Sequence, residues 1–320
     1  MSFPDNVSNS LDVIPEDIGH SPIHLAIGIF DGVHQGHKAI LQQTRQLALE
    51  QGGHAVALTF WPHPSHILRP EKATPMILSQ EARIQLLKES GIEHILLHPF
   101  TEEFADLSAT IFPSWLKERL PTLRTISVGQ GFRFGKDRHG DAELLKQEGA
   151  AEDIAVHPVS RIDLHDQPLS STRIRQAIQE GNLPAAAEML GYAWFAAGNV
   201  IPGQALGRTI GFPTLNLDWH PQLQPPLGVY VCKARPAEQP DHPLLPAVAN
   251  YGIRPTVDPE SEPQPRLEVH LLDPAESPNW STAHVEFIKY LRPEKKFPSK
   301  EELVKQIQQD VKAAQNLFKL

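Results

Sequence analysis

The chain has 320 residues, 40% hydrophobic and 21% charged, a balance that fits an ordinary soluble globular protein with two domains rather than one. Its formal net charge of -9 argues against wide, non-specific nucleic-acid binding, which needs a cationic face, so small-molecule partners and no nucleic acid are expected. The lone Cys232 excludes an internal disulfide and a Cys-rich zinc site, and neither a secretory signal nor a membrane-length apolar stretch is evident. A cytoplasmic protein with no membrane association is expected, and the oligomeric state is left open.

Taken in chain order, residues 23–29, 55–60, 94–98, 125–129 and 154–159 are short apolar runs separated by helical stretches. The first such helix is expected over residues 38–50, closed by Gly52 and Gly53. Continuous apolar strands alternating with helices predict an α/β domain with a parallel, Rossmann-like sheet covered on both faces. Such sheets bind ligands at the carboxyl ends of their strands. After about Gly191 proline becomes frequent, and strand-like runs follow at residues 192–201, 228–234, 244–251, 266–273 and 283–291. Short strands between proline-rich turns predict an antiparallel β-barrel. The chain then ends in one helix, with Ser299 and Glu302 as a capping box and Leu303, Ile307 and Val311 on one apolar face. The boundary is expected within residues 183–191, giving domains of residues 1–185 and 186–320.

Two segments of the first half suit phosphate chemistry. GIFDGVHQGH, residues 28–37, places the turn Gly28, Phe30, Asp31, Gly32 after a strand, with His34 and His37 just before a helix. A helix N-terminus offers unpaired N–H groups and partial positive charge, so phosphates settle there. Imidazoles beside it can donate to phosphate oxygens as charge builds on them. In SSTRIR, Ser170, Ser171 and Thr172 open a second helix, capped by Ser171 and Thr172, with Arg173 and Arg175 available for bidentate contacts. A plain capped surface helix fits the same residues. In TFWPHP, residues 59–64, Trp61 can stack on an aromatic ring and His63 is rigidly placed, although a buried Trp in a structural turn fits equally well. The stretch GQGFRFGKDRHGD matches neither a P-loop nor a dinucleotide fingerprint in its spacing.

In the second half, GQALGRTIGFPTLNL holds Gly203 and Gly207, which permit close backbone approach to a phosphate chain, and Arg208, which adds positive charge. Glu268 in LEVHLLD alternates with Leu267 and Val269, a pattern that by itself also fits an outward strand residue.

These motifs carry a resemblance. The H-x-G-H loop resembles the nucleotidylyltransferase superfamily, and GIFDGVHQGH, TFWPHP, VGQGFRFGKDRHGD and SSTRIR together resemble the adenylyltransferase module of the bacterial bifunctional riboflavin kinase/FAD synthetases. GFPTLN, NYGIRPT, LEVHLLD and FIKYLRPEKKF resemble that family's riboflavin kinase module, a compact β-barrel, in the same order. The resemblance implies phosphorylation of riboflavin to FMN, then adenylylation of FMN to FAD, each with ATP. It implies that SSTRIR holds the departing pyrophosphate, that Thr214 and Asn216 hold Mg²⁺ with ATP, and that Glu268 is the general base. It also places the loop containing Phe132 beside nucleotide and flavin, with Trp61 and His63 as further flavin candidates. Ile29, Gly131 and Leu215 depart from the family's frequent Asn, Asp or Asn, and Ala; altered affinity rather than lost activity is expected. Three rivals are a nucleotidylyltransferase for another acceptor, a non-catalytic flavin or nucleotide sensor, and a binder of an RNA such as a tRNA, against which the acidic charge and the lack of a basic stripe weigh.

Overall fold

The computed structural model describes residues 6–11, 16–203, 206–253, 265–273 and 279–319, and the chain divides into two compact units, Met1–Ser171 and Thr172–Leu320.

The first unit is built on a six-stranded sheet of β1 (Val7–Ser8), β2 (Ile23–Ile27), β3 (His54–Trp61), β4 (His94–Pro99), β5 (Leu123–Gly129) and β6 (Ala155–Val159). All pairings are parallel, in the order β1-β4-β3-β2-β5-β6. The apolar runs are continuous because both faces are covered. Ile23, Leu25 and Ile27 of β2 with Val56 and Leu58 of β3 join one core cluster, while Ala26, Ala55 and Ala57 join another. The helices of this unit are α1 (Glu16–Gly19), α2 (Gln35–Gln51), α3 (Pro64–Leu68), α4 (Gln80–Glu89), α5 (Glu102–Ala105), α6 (Phe112–Arg119) and α7 (Ala142–Ala150). The helix α2 starts three residues earlier than its apolar pattern suggests, because His34 caps it, and ends at Gly52 with φ 72°. From β2 the chain steps outward through β3 to β4, then returns to place β5 on the other side of β2. The strand order reverses between β2 and β5, and the crevice outside their carboxyl ends is where such sheets take ligands. A two-residue pair, β7 (Asp163–Leu164) and β8 (Gln167–Pro168), follows.

The division falls at the start of α8 (Ser171–Gln179), followed by α9 (Leu183–Leu190), which Asn182 caps and Gly191 terminates in the left-handed region at φ 75°. The second unit is a closed antiparallel barrel of β9 (Phe195–Ile201), β10 (Leu215–Asp218), β11 (Gly228–Arg235), β12 (Leu245–Ile253), β13 (Pro265–Leu271) and β14 (Thr282–Pro293). Five strands match the strand-like runs. The sixth, β10, begins at the Leu-Asn of GFPTLN, and its four residues are too few to show an alternation. A short helix, α10 (Leu206–Thr209), lies in the glycine-rich segment. The barrel interior is aromatic: Trp194, Tyr230, Tyr251 and Phe287 are each 1% exposed or less, with Trp194 and Phe287 stacked at 5.1 Å. Each such ring contributes about 2–3 kcal/mol by burial. Outside the barrel lies α11 (Lys300–Phe318). Ser299 accepts a hydrogen bond from the Glu302 amide, and Val311, Ala314 and Phe318 pack on Val229, Val231 and Val248.

Cys232 is fully buried in this interior, and burial pushes its thiol pKa up. The thiol is expected to resist Ellman's reagent in the native protein at neutral pH and to react completely in denaturant. Full reaction of the native protein would contradict its inward placement.

Candidate active sites

In the first unit the segment after β2 turns sharply. Phe30, Gly32 and Val33 take positive φ of 51°, 77° and 35°, costly for the two non-glycine residues, and the Val33 amide donates to the Phe30 carbonyl at 3.0 Å. Phe30 is wholly buried, edge-on to His37 at 5.4 Å. Asp31 is 2% exposed, and its carboxylate accepts the Ile77 amide at 2.9 and 3.2 Å. These two residues shape the loop from inside rather than presenting side chains at its surface.

His34 and His37 stack face to face, ring centroids 3.6 Å apart and 14° from parallel. His34 is the N-cap of α2, its Nδ1 accepting the His37 amide at 3.3 Å. Acceptance at Nδ1 puts the proton of the neutral ring on Nε2. A Cβ at position 36 would lie 3.1 Å from the His34 ring, so glycine in H-x-G-H lets the capping imidazole lie against its own helix. The first turn of α2 carries no acidic side chain. An anion at this N-terminus meets the helix dipole unopposed.

Ser171 opens α8, and its hydroxyl donates to the Asp31 carbonyl at 3.1 Å. Its hydroxyl therefore reaches back to the histidine loop, and the first turn of this helix also lacks acidic residues. Ser170 precedes the helix, and Thr172, Arg173 and Arg175 lie along it. His63 caps α3, accepting the Ser65 amide at 3.1 Å, which gives it a local structural task. Phe132 stacks on Phe134 at 5.5 Å and packs on one core cluster, whereas Trp61 packs on the other. The two aromatic flavin candidates thus belong to different packing groups. Gly131 is exposed, with no atom within 4 Å of a Cβ built there.

The second unit holds a cavity of about 260 Å³, lined by Gly207, Thr214, Asn216 and Glu268 among the residues singled out above. Strand register explains the grouping. Glu268 of β13 pairs with Asn216 of β10 on one side and with Asn250 of β12 on the other. Asn250 in turn pairs with Val229 and Val229 with Arg292, so one row of side chains runs around the barrel. Directly paired residues point to the same face. Val229 packs against α11, so the row lies on the outer face of the barrel, where Leu303 and Ile307 of α11 form the opposite wall of the cavity. Gly203 abuts Asn216: a Cβ there would come within 2.8 Å of the amide carbon. Arg208 is exposed on α10. His270, two residues along β13 on the same face, donates from Nδ1 to the Pro213 carbonyl at 2.8 Å and so ties the Pro-Thr turn to the sheet.

Asn250, His270, Arg292 and Asp310 line the cavity although sequence reasoning gave them no role. Asn250 opens NYGIRPT, and its alignment with Glu268 needs strand register; Arg254, Pro255 and Thr256 of that motif lie outside the described residues. Arg292 at the end of β14 grips Asp310 of α11 through Nε at 3.0 Å and a terminal nitrogen at 2.7 Å. The Asp310 side chain is 8% exposed, and Gln306 donates to it at 3.1 Å.

The two units match two different family models: FAD synthetase over residues 18–173, and riboflavin kinase over residues 190–318. Fold and sites together define a two-domain transferase acting on flavins and nucleotides. Over 297 residues the chain is 35% identical to the bifunctional riboflavin kinase/FMN adenylyltransferase of Escherichia coli strain K12, covering 92% of this chain and 93% of that protein. The like-named protein of Bacillus subtilis strain 168 is 33% identical over 297 residues, covering 92% of both chains. The chain belongs to this family of bifunctional riboflavin kinases/FMN adenylyltransferases: with ATP it phosphorylates riboflavin to FMN, then adenylylates FMN to FAD with release of pyrophosphate. A crystal structure described as the macrolide-efflux protein of Streptococcus pneumoniae shares the fold, with TM-score 0.82 and 30% identity over 97% of this chain and 98% of that one. That description concerns that protein; among the described residues here, no helix is long and apolar enough to cross a membrane.

Removing the Asp310 carboxylate leaves Arg292 without its compensating charge. Asp310→Ala is expected to destabilise the barrel by about 2 kcal/mol, less than for a fully buried pair because Arg292 keeps a fifth of its side-chain surface in water. Urea unfolding followed by Cys232 labelling reads this directly.

Proposed function

We propose that residues 1–185 perform adenylyl transfer at the His34/His37 loop and that residues 186–320 perform the kinase step at the barrel cavity. The kinase reading rests on one observation above all: Glu268 stands between Asn216 and Asn250 on the cavity wall. Glu268 takes the proton of the terminal ribityl hydroxyl as that oxygen attacks the γ-phosphorus of ATP, and the bond to the β-phosphate oxygen breaks to give FMN and ADP. Thr214 and Asn216 offer hard oxygen donors suited to Mg²⁺, and the Asn216 amide oxygen is buried without a hydrogen-bond partner among the described residues. A Mg²⁺ ion held there with ATP would neutralise phosphate charge. Gly203, Gly207 and Arg208 face the phosphate chain.

In the first unit an FMN phosphate oxygen attacks the α-phosphorus of ATP in line, and the bond to the β-phosphate breaks to release pyrophosphate. His34 and His37 donate hydrogen bonds to the phosphates as charge builds. The turn Gly28, Phe30, Asp31, Gly32 shapes the site, while Ser170, Ser171, Thr172, Arg173 and Arg175 receive the leaving pyrophosphate. Trp61, His63 and Phe132 belong to the flavin side. The single, buried cysteine accords with a cytoplasmic protein.

With riboflavin, ATP and Mg²⁺, chromatography of the flavins is expected to show FMN and then FAD. His34→Ala/His37→Ala should lower FAD formation by at least about 10²-fold and leave FMN formation intact. Loss of both activities in a folded protein would sink the two-site assignment. Conversely, Glu268→Ala should lower kinase kcat by about 10²–10⁴-fold while supplied FMN is still adenylylated.

A further inference from the structure

Arg83 is an arginine with no exposed surface, on α4, in a segment to which neither motif nor family resemblance gave a role. One terminal nitrogen donates to the Ile29 carbonyl at 2.8 Å and to the Thr59 hydroxyl at 3.3 Å, and the other donates to the Phe60 carbonyl at 3.3 Å. The Thr59 hydroxyl passes the connection on, donating to the same Ile29 carbonyl at 3.1 Å. The guanidinium carbon also lies 5.8 Å from the Trp61 ring centroid. Arg83 thus clamps the exit of β2 to the end of β3, at the residue before the left-handed turn that leads to His34.

Burial lowers the Arg83 pKa to about 10, with the nearby Asp31 carboxylate opposing the shift, so it stays charged at neutral pH. Taking a guanidinium out of water costs several kcal/mol, which hydrogen bonds to carbonyls offset only in part. Packing alone would be served as well by an apolar side chain. What the charge adds is fixed donor geometry at a loop whose Phe30 and Val33 backbones are strained. Such strain persists only where surrounding contacts over-determine it.

We infer that Arg83 is a positioning residue for adenylyl transfer, holding residues 29–33 so that His34 and His37 meet the phosphates in register. This rests on the reading of the histidine loop given above. Misplacement of a reacting constellation by about 1 Å costs on the order of 10²-fold in rate.

The test is steady-state FAD formation from FMN and ATP by the full chain carrying Arg83→Met, Arg83→Lys or Thr59→Val, with FMN formation from riboflavin by the same molecules as the internal control. Arg83→Met is expected to lose about 10–100-fold in kcat for FAD formation, with KM values little changed and kinase activity intact. Arg83→Lys, which keeps the charge with fewer donors, should recover part of that loss. Thr59→Val, which removes only the hydroxyl relay, should show a smaller loss in kcat and stands as the test should Arg83→Met not fold. Wild-type kcat in folded Arg83→Met, or in Thr59→Val if Arg83→Met does not fold, would overturn the inference; a lowered melting temperature alone marks a merely structural arginine. His34→Ala/His37→Ala is measured alongside. If that variant still makes FAD at the wild-type rate, the loop reading fails and this inference with it; if it is inactive while Arg83→Met retains wild-type kcat, only the inference fails.

Discussion

The ladder of backbone hydrogen bonds between neighbouring strands sets where the candidate site residues stand. In the first unit the parallel register of β2 against β3 and β5 places their carboxyl ends side by side, and the strand order reverses there. The histidine loop and the loop after Gly129 emerge at that crevice as a consequence. In the second unit the antiparallel register sets Asn216, Glu268 and Asn250 abreast on one face. A slip of one residue on β13 would turn Glu268 into the aromatic interior and bring Leu267 or Val269 out under α11. Barrel closure forbids that slip, because β10 is held on its other side by β9.

Register alone does not hold a polar group still. Each unit adds a buried charge that ties a functional segment to its scaffold. Arg83 joins the ends of β2 and β3, while Asp31 holds the Ile77 amide and receives Ser171 at its carbonyl. Arg292 and Asp310 join the end of β14 to α11, whose Leu303 and Ile307 complete the cavity. Each pairing loses hydration energy, so its net contribution to stability is far below its Coulombic attraction. Its directional donors specify one arrangement of a loop or helix among several that apolar packing would tolerate.

The parallel sheet, the terminal helix and five of the six barrel strands are legible because their apolar runs are long enough to show a period. His34 and His37 are legible because they sit one turn apart at a helix start. The strand β10 is not, since its four residues read as a loop motif. The roles of Asn250, Arg292 and Asp310 are hidden for a different reason: their partners lie 18 residues away or on another strand, and although Asn250 and Arg292 fall in quoted motifs, no local pattern shows what they meet. His63 illustrates the converse. Between two prolines it invites a functional reading, and the structure adds a local task that the motif did not show: its ring nitrogen caps α3.

What the amino-acid sequence determined by itself was therefore local and periodic: which segments are strands or helices, where the texture changes between the units, and which motifs suit phosphate chemistry. Family membership followed from those motifs because they recur in order along nearly the whole chain. Tertiary structure alone decided which side chains share a site. Strand register put Glu268 between two asparagines, barrel closure chose the face on which they stand, and the arrival of α4 delivered Arg83 to the back of the histidine loop. Such juxtapositions join residues distant in sequence, and no local energy term refers to both partners before the chain has folded.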